Sequence, residues 1–505
     1  MGGIQSGTVQ QLSFSSPDSN SDSYRPRNPE DSLLFQIVRD HWKAFEQMTE
    51  QEGNGLPKFV RDEFESFFRC GVLQHGFVRL KCDSCSHEKI VGFSCKKRGF
   101  CSSCISRNQA ETAANLNDLV LPEIPYRQWV MSFPISLRFL MARRPEVLSQ
   151  ILKIHISEIS RFIRRKTRVE VKKFEIPLER FQTSAYTAIQ RFGSALSLNI
   201  HYHSLFFDGG YLLPESENGV PEFFAIKAPS NNDMAAILIK IVGKIRIYLA
   251  KAGYLTAEGD LISNTESDLG SEEVLSQLQM ASVQNRVGTG ENIGKRVRLI
   301  KNELFLKDVK FESLRCVQIS GFSLHANVEV EDKSRDQLET VIRYFTRSPV
   351  VEKRLHKVNE NELFYEFKSP WKDGTIGVKF TPFEFLEKLA ALVPLPRRHL
   401  FSYHGLLAPN SKYRDKIVRV SSEPSAQENI SGEKVEAPPP KRPRRICWSD
   451  LLKRVFHLDL VKCPDCNGTV RFISAVMKKD VIGKILEHLK VPIEPPRFAT
   501  ARSTL

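Results

Sequence analysis

The chain has 505 residues, and a length beyond about 300 residues excludes a single hydrophobic core. Hydrophobic residues make up 41% of the chain and aromatic residues 10%, which excludes a protein that is disordered throughout. The 73 lysines and arginines exceed the 59 acidic residues and leave a formal net charge of +14, which indicates a polyanionic partner such as nucleic acid. No membrane partner is expected, because no stretch reaches the roughly 20 apolar residues that a spanning helix requires.

The N-terminal part of the chain is predicted to begin with a disordered tail over residues 1–30, which are rich in Ser, Asn, Asp and Gly. Apolar residues then recur at helical spacing from Leu33 to Phe68. We expect this helical segment and the cysteines that follow it to form one zinc-binding domain over residues 31–110.

Six cysteines cluster directly after the helical segment, between Cys70 and Cys104. Two Cys-x-x-Cys pairs with fifteen residues between them have the spacing that suits one tetrahedral zinc ion. We therefore predict a structural zinc at the four cysteines of these pairs, with buried free thiols as the alternative: Cys82, Cys85, Cys101 and Cys104. Further candidate ligands, for this site or a second one, are Cys70, His75, His87 and Cys95. Three consecutive cations between the pairs suit either phosphate contact or a solvated loop: Lys96, Lys97 and Arg98.

Residues Ser197 to Phe207 alternate between polar and apolar side chains, which predicts a strand with one buried face. The alternation directs His201 and His203 to the same face and Tyr202 into the core. Two histidines so placed can bind one metal ion, whereas the alternative is a pair of polar residues on an exposed sheet face.

A second alternating segment runs from Gly321 to Val330 and is also predicted to be a strand. His325 lies on its polar face and is a candidate third metal ligand. Gln190, in the segment from Ala185 to Phe192, is another candidate, and the residues leave the choice open.

The helix predicted from Arg335 to Thr346 has a stripe of apolar residues that faces the core. Tyr344 falls beside this stripe, close to Arg343 and Arg347. A phenol in that position can attack a phosphodiester that guanidinium groups hold, although a half-buried surface tyrosine is the alternative.

The C-terminal part of the chain is predicted to contain a basic, Pro-rich linker over residues 416–446, a small domain over 447–491 and a tail over 492–505. A helix is expected from Trp448 to Leu460. The pair Cys463 and Cys466 supplies half a zinc site, which Cys447 and His457 could complete; a paired-thiol turn without metal is the alternative.

Taken together, the motifs resemble the HUH transposases of the insertion-sequence ninety-one family, including its common-region relatives. The resemblance covers residues from about 35 to 490. Its main carriers are the cysteine pairs, Gln190-Arg191-Phe192-Gly193-Ser194, Asn199-Ile200-His201-Tyr202-His203, Arg343-Tyr344-Phe345-Thr346-Arg347, Pro370-Trp371-Lys372-Asp373-Gly374 and Ala408-Pro409-Asn410-Ser411. It implies an α+β fold in which an HUH nuclease-like domain over residues 111–415 has an antiparallel sheet flanked by helices.

The resemblance also implies a chemistry. His201, His203 and a third ligand, either His325 or Gln190, would hold Mg²⁺ or Mn²⁺. Tyr344 would attack single-stranded DNA and form a 5′-phosphotyrosine link during rolling-circle transposition. The partners would be single-stranded transposon ends and target DNA. The protein would lie in the cytoplasm of a prokaryotic cell, associated with the nucleoid. The residues expected to contact DNA are Arg343, Arg347, Lys96, Lys97 and Arg98.

Two departures from the family pattern matter. Thr340 stands four residues before Tyr344, where some relatives have a second tyrosine, so the chain resembles the single-tyrosine branch. Phe100 replaces a histidine found before the Cys-x-x-Cys pair in many relatives.

Two other functions stay open: a zinc-dependent DNA-binding protein of the same fold without strand transfer, and a His-x-His metal hydrolase built on a barrel. The oligomeric state is not indicated.

Overall fold

The fold was obtained as a computed structural model. It describes residues 28–85, 87–216, 218–257, 259–262, 273–301, 314–371, 373–418, 450, 454 and 461–500. The helices are α1 (Leu33–Gln51), α2 (Lys58–Arg69), α3 (Ser102–Asn115), α4 (Ile135–Arg143), α5 (Pro145–Glu170), α6 (Asn231–Lys251), α7 (Glu273–Val283), α8 (Arg335–Phe345), α9 (Pro382–Leu392), α10 (Arg414–Ile417) and α11 (Lys479–His488).

The strands are β1 (Phe77–Cys82), β2 (Glu88–Gly92), β3 (Tyr126–Ser132), β4 (Phe181–Gln182), β5 (Ser184–Phe192), β6 (Leu198–Phe207), β7 (Gly209–Leu212), β8 (Glu222–Ala225), β9 (Arg298–Lys301), β10 (Cys316–Ile319), β11 (Phe322–Val330), β12 (Leu355–Asn359), β13 (Glu362–Glu366), β14 (Thr375–Phe380), β15 (Phe401–Gly405) and β16 (Val470–Val476). Short 3-10 turns lie at Pro29–Asp31, Leu73–His75, Leu178–Arg180, Gly290–Asn292 and Glu352–Arg354, and one π turn at Leu116–Val120. The helices and antiparallel sheets confirm the predicted α+β class.

Local sequence signals explain where the main helices begin. The side chain of Ser32 accepts a hydrogen bond from the backbone N–H of Phe35 and so caps α1. A capping box opens α9, in which Thr381 and Glu384 each satisfy the other's backbone N–H and Pro382 occupies the first turn. These caps fix the helix starts next to apolar runs that pack into the cores.

The central sheet has six antiparallel strands in the order β10-β11-β3-β6-β5-β15. One face packs against apolar residues of α4, α5, α6 and α7 in a large core. The other face packs against α8 and the π turn at the end of α3. Strand β6 is therefore an inner strand with a helical layer on each side.

A second core lies beside the central sheet and joins distant parts of the chain. It packs α1 and α2, three buried cysteines, α9 and the four-stranded sheet β12-β13-β14-β9. The predicted boundary at residue 110 therefore does not separate two cores, because residues of the expected catalytic domain complete the core of the N-terminal helices.

The C-terminal residues also pack on the N-terminal part. Strand β16 pairs with β1 in a three-stranded sheet of order β16-β1-β2. The ring of Phe498 stacks on that of Phe68, with centroids 3.9 Å apart, and the N–H of Ala499 donates to the carbonyl of Arg39 over 2.8 Å. Within the expected C-terminal domain and tail, the described residues 461–500 thus pack on the N-terminal helices and on strand β1. The helix expected from Trp448 to Leu460 lies outside the described residues, except at positions 450 and 454.

No helix among the described residues is long and apolar enough to cross a membrane.

A buried ion pair joins three segments at one end of the central sheet. Arg127 on β3 is 1% exposed and contacts the Asp208 carboxylate through Nε (3.0 Å) and Nη2 (2.5 Å). Its Nη2 also lies 2.7 Å from a Glu329 oxygen on β11, and its Nη1 donates to the carbonyl of Ala326 over 3.2 Å.

We expect Asp208→Ala to lower the free energy of unfolding by about 3 kcal/mol, because it leaves a buried guanidinium without its bidentate partner. Glu329 is the matched control: its side chain is 49% exposed, and an exposed partner contributes at most about 1 kcal/mol. Urea titration followed by tryptophan fluorescence, to which Trp129 on the same strand contributes, measures both values. Equal losses for Asp208→Ala and Glu329→Gln would contradict the prediction.

Candidate active site

The two histidines of β6 point to the same face of the central sheet, as the alternation predicted. Their ring centroids lie 4.9 Å apart. Tyr202 points the other way into the core, where its hydroxyl donates to the carbonyl of Leu148 over 2.8 Å. The expectation of only one buried face was wrong: His203 is 4% exposed, because Phe345 of α8 stacks on its ring at 6.1 Å.

Both histidines are held by hydrogen bonds at Nδ1. His201 Nδ1 lies 2.8 Å from the carbonyl of Asn199, and His203 Nδ1 lies 2.9 Å from the side-chain amide of Gln128. Burial lowers the pKa of His201 to about 4, and burial together with the nearby His201 and Arg347 lowers the pKa of His203 well below its ordinary value. Both imidazoles are therefore neutral near pH 7, the form that binds metal ions.

Of the two candidate third ligands, the strand order brings Gln190 next to the histidines. Gln190 on β5 pairs directly with His201 on β6. Its Nε2 donates to the carbonyl of Phe345 over 3.2 Å, while its Oε1 is buried without a hydrogen-bond partner. The Nε2 atom of His203 is likewise buried and unpartnered.

His325 is placed farther away, on β11. Strand β3 lies between β11 and β6, so that Val130 separates His325 from His203 across the sheet. Adjacent strands are about 4.8 Å apart, and the two backbones are therefore separated by about 10 Å. The structure does not bring His325 into contact with the histidine pair.

Tyr344 lies at the C-terminal end of α8, beside the buried stripe that Leu338, Ile342 and Phe345 form. The tyrosine is 38% exposed, and its ring centroid lies 5.9 Å from that of His203. Two cations flank the same ring: Arg347 at 4.7 Å and Lys368 at 5.4 Å from the centroid. The phenol thus lies between the histidine pair and a positively charged surface.

The two predicted arginines beside the tyrosine differ in their contacts. Arg343 turns back along α8 and forms an ion pair with Glu339 over 2.6 Å. Arg347 instead lies over the rings of Tyr344 and Phe192, and its Nε is buried without a partner. Only Arg347 is therefore positioned beside the phenol.

A cavity of about 340 Å³ opens between the cysteine-rich region and the sheet. It is lined by six cations, of which Lys96, Lys97, Arg98 and Arg347 were expected from the sequence and Arg107 and Arg191 were not. Burial lowers the pKa of Arg191 to about 10. The sequence marked Arg191 only as part of the family segment from Gln190 to Ser194. Its place in the cavity follows from the position of β5 beside the cysteine-rich region.

The cysteines form two tetrads, and their grouping differs from the prediction. The first tetrad is Cys70, Cys95, Cys101 and Cys104, and the second is Cys82, Cys85, Cys463 and Cys466. Within the first, the Sγ atom of Cys104 lies 3.5 Å from that of Cys70 and 3.4 Å from that of Cys95.

The prediction that the two Cys-x-x-Cys pairs share one zinc was therefore wrong. Cys82 and Cys85 lie at the turn between β1 and β2, whereas Cys101 and Cys104 lie after β2, at the start of α3. Each pair forms its tetrad with two other cysteines. His75 belongs to neither tetrad, and the proposed ligands Cys447 and His457 lie outside the described residues.

Two family models match the chain. Residues 37–133 match the family model described as "Transposase zinc-binding domain", which contains all of the first tetrad. Residues 185–414 match the model described as "Putative transposase", which contains both histidines and Tyr344. No curated protein and no solved structure matches the chain. The N-terminal region is thus a structural zinc-binding domain, the protein acts on DNA, and the chain belongs to the insertion-sequence ninety-one family of transposases.

Proposed function

We propose that this transposase cleaves and rejoins single-stranded DNA through a covalent 5′-phosphotyrosine intermediate at Tyr344, during rolling-circle-type transposition. The observation that carries the proposal is the contact of the Tyr344 ring with His203, at 5.9 Å between centroids. It joins a partly exposed nucleophile to a pair of neutral imidazoles, of which that of His203 is buried.

The residues around the histidines fit a divalent metal ion. The buried Nε2 of His203 and Oε1 of Gln190 have no hydrogen-bond partners, and polar atoms of this kind cost free energy unless they have a ligand. His201 Nδ1 donates its hydrogen to a backbone carbonyl, which leaves the lone pair of Nε2 available to a metal ion. We assign His201, His203 and Gln190 as the ligands of Mg²⁺ or Mn²⁺, which when bound would polarise the scissile phosphodiester.

The reaction needs no external energy source. The Oη atom of Tyr344 attacks the phosphorus, a new O–P bond to the protein forms, and the P–O3′ bond breaks. The phenol loses its proton to water, and the departing 3′ oxygen takes one from water. The phosphodiester energy is retained in the protein–DNA bond, so a later attack by a 3′-hydroxyl can rejoin the strand. Arg347 and Lys368 flank the ring and stabilise the negative charge of the phosphate.

The basic cavity supports the choice of single-stranded DNA as the substrate. Its six cations suit a phosphate backbone, and the partly exposed ring of Phe401 also lines it and offers a surface on which a base can stack. Cations and aromatic rings in one groove are typical of proteins that bind single strands. Lys96, Lys97 and Arg98 would therefore contact DNA from the zinc-binding side, opposite Arg347.

Thr340 lies one helical turn before Tyr344, and its hydroxyl donates to the carbonyl of Asp336 over 2.8 Å. The position therefore offers no second phenol on this face of α8. We assign the chain to the single-tyrosine branch, in which each polypeptide attacks with one nucleophile.

Trapping the intermediate tests the function directly. The full chain is incubated with Mn²⁺ and a labelled single-stranded oligonucleotide that carries the transposon end, then denatured and digested with protease. We expect mass spectrometry to identify a nucleotide adduct on the peptide that contains Tyr344. DNA binding without any covalent adduct would instead identify a zinc-dependent DNA-binding protein that lacks strand transfer.

A further inference from the structure

Only half of the second cysteine tetrad lies within the matched zinc-binding domain: Cys82 and Cys85 belong to it, whereas Cys463 and Cys466 follow its last matched residue by more than 300 positions. We propose that Cys82, Cys85, Cys463 and Cys466 bind a second structural zinc ion, which fastens the C-terminal strand β16 to the N-terminal strand β1. This zinc site is independent of the proposed DNA chemistry.

The four sulfur atoms have the arrangement of a tetrahedral zinc site. The Sγ atoms of Cys82 and Cys466 lie 3.5 Å apart, and those of Cys85 and Cys463 lie 3.6 Å apart. All four lie within 4.8 Å of one another. Four thiolates around zinc at about 2.3 Å each would lie about 3.8 Å from one another, which is close to the observed distances.

In each cysteine pair, one sulfur atom accepts a hydrogen bond from the backbone. The N–H of Ser84 donates to Cys82 Sγ, and the N–H of Gly468 donates to Cys466 Sγ, each over 3.4 Å. Such N–H groups stabilise the negative charge of a metal-bound thiolate. A Cβ atom at Gly468 would lie 2.4 Å from the Ser84 hydroxyl oxygen, so the close approach of the turns requires glycine there.

Contacts around the tetrad hold the same two segments together. The N–H of Asp83 donates to the carbonyl of Thr469 over 2.9 Å, and the Asp83 carboxylate pairs with Arg471 at 2.5 Å. His87 Nδ1 lies 2.7 Å from the carboxylate of Asp465. These two residues and Cys463 form an alternative ligand set, but four thiolates are the softer set and leave zinc with a closed shell.

The small size of the surrounding core explains why a metal is needed. The cluster behind this sheet contains four buried residues: Phe77, Val476, Ile482 and Leu486. A core of that size stabilises very little structure without a metal or a disulfide. The first tetrad differs, since Cys70, Cys101 and Cys104 are embedded in the large core of α1, α2 and α9.

The inference is tested by counting zinc ions in the full chain. Native mass spectrometry should find two zinc ions per wild-type chain and one in Cys466→Ser, which changes an exposed cysteine. Cys316→Ser and His87→Ala should both keep two, because Cys316 belongs to neither tetrad and His87 to the alternative set alone. A single zinc in the wild type, or two in Cys466→Ser, would overturn the proposal.

Hydrogen exchange gives a second readout that does not depend on the count. In Cys466→Ser, the amides of β16 should exchange at least about tenfold faster, whereas those of α1 and α2 should be unchanged because the first zinc remains. Equal exchange of β16 in the variant and the wild type would show that the metal does not fasten the strand. Faster exchange throughout the chain would show general unfolding and would also contradict the inference.

Discussion

Tyr344→Phe is expected to reduce covalent attachment to single-stranded DNA by at least about 1000-fold, because it removes the oxygen that bonds to phosphorus while leaving the ring in place. The ring accounts for the contacts with His203, Arg347 and Lys368, so the site should keep its shape. Adduct yield is measured on denaturing gels with a labelled oligonucleotide, and DNA affinity is measured in parallel by fluorescence anisotropy.

The matched control is Tyr248→Phe, which removes the same oxygen from a tyrosine on α6. That helix packs on the opposite face of the central sheet, so adduct yield should stay within about twofold of the wild type. DNA affinity should be nearly unchanged in both variants. If Tyr344→Phe still forms the adduct, another residue is the nucleophile.

The local patterns of the sequence predicted the elements that carry the site. Alternation identified β6 and β11, and helical spacing identified α8, because these periods depend only on the backbone geometry of each element. The burial of His203 could not be predicted in this way. It results from Phe345 and α8, which return to the sheet more than 100 residues later.

The grouping of the cysteines shows a second limit. Spacing along the chain suggested that neighbouring Cys-x-x-Cys pairs share a metal, and that rule holds where two turns fold against each other locally. Here Cys82 meets Cys466 across 384 positions, through the pairing of β1 with β16. No local pattern carries that information, because the order of strands in a sheet is set by the packing of the whole chain.

The choice of the third metal ligand likewise depends on strand order, and it leads to a further prediction. Gln190→Met preserves the side-chain length but removes the unpartnered oxygen beside His201. We expect it to raise the Mn²⁺ concentration for half-maximal adduct formation by at least about tenfold. Gln190→Glu instead supplies a carboxylate oxygen at the same place, so its Mn²⁺ dependence should stay close to that of the wild type.

His325→Ala is the control for the alternative assignment. Because β3 separates β11 from β6, removal of this imidazole should change the Mn²⁺ dependence by no more than about twofold. DNA binding in the presence of a chelator should be equal in all three variants, which separates loss of the metal from loss of folding. A large effect of His325→Ala together with a small effect of Gln190→Met would identify His325 as the ligand, and would require a side chain to reach across β3.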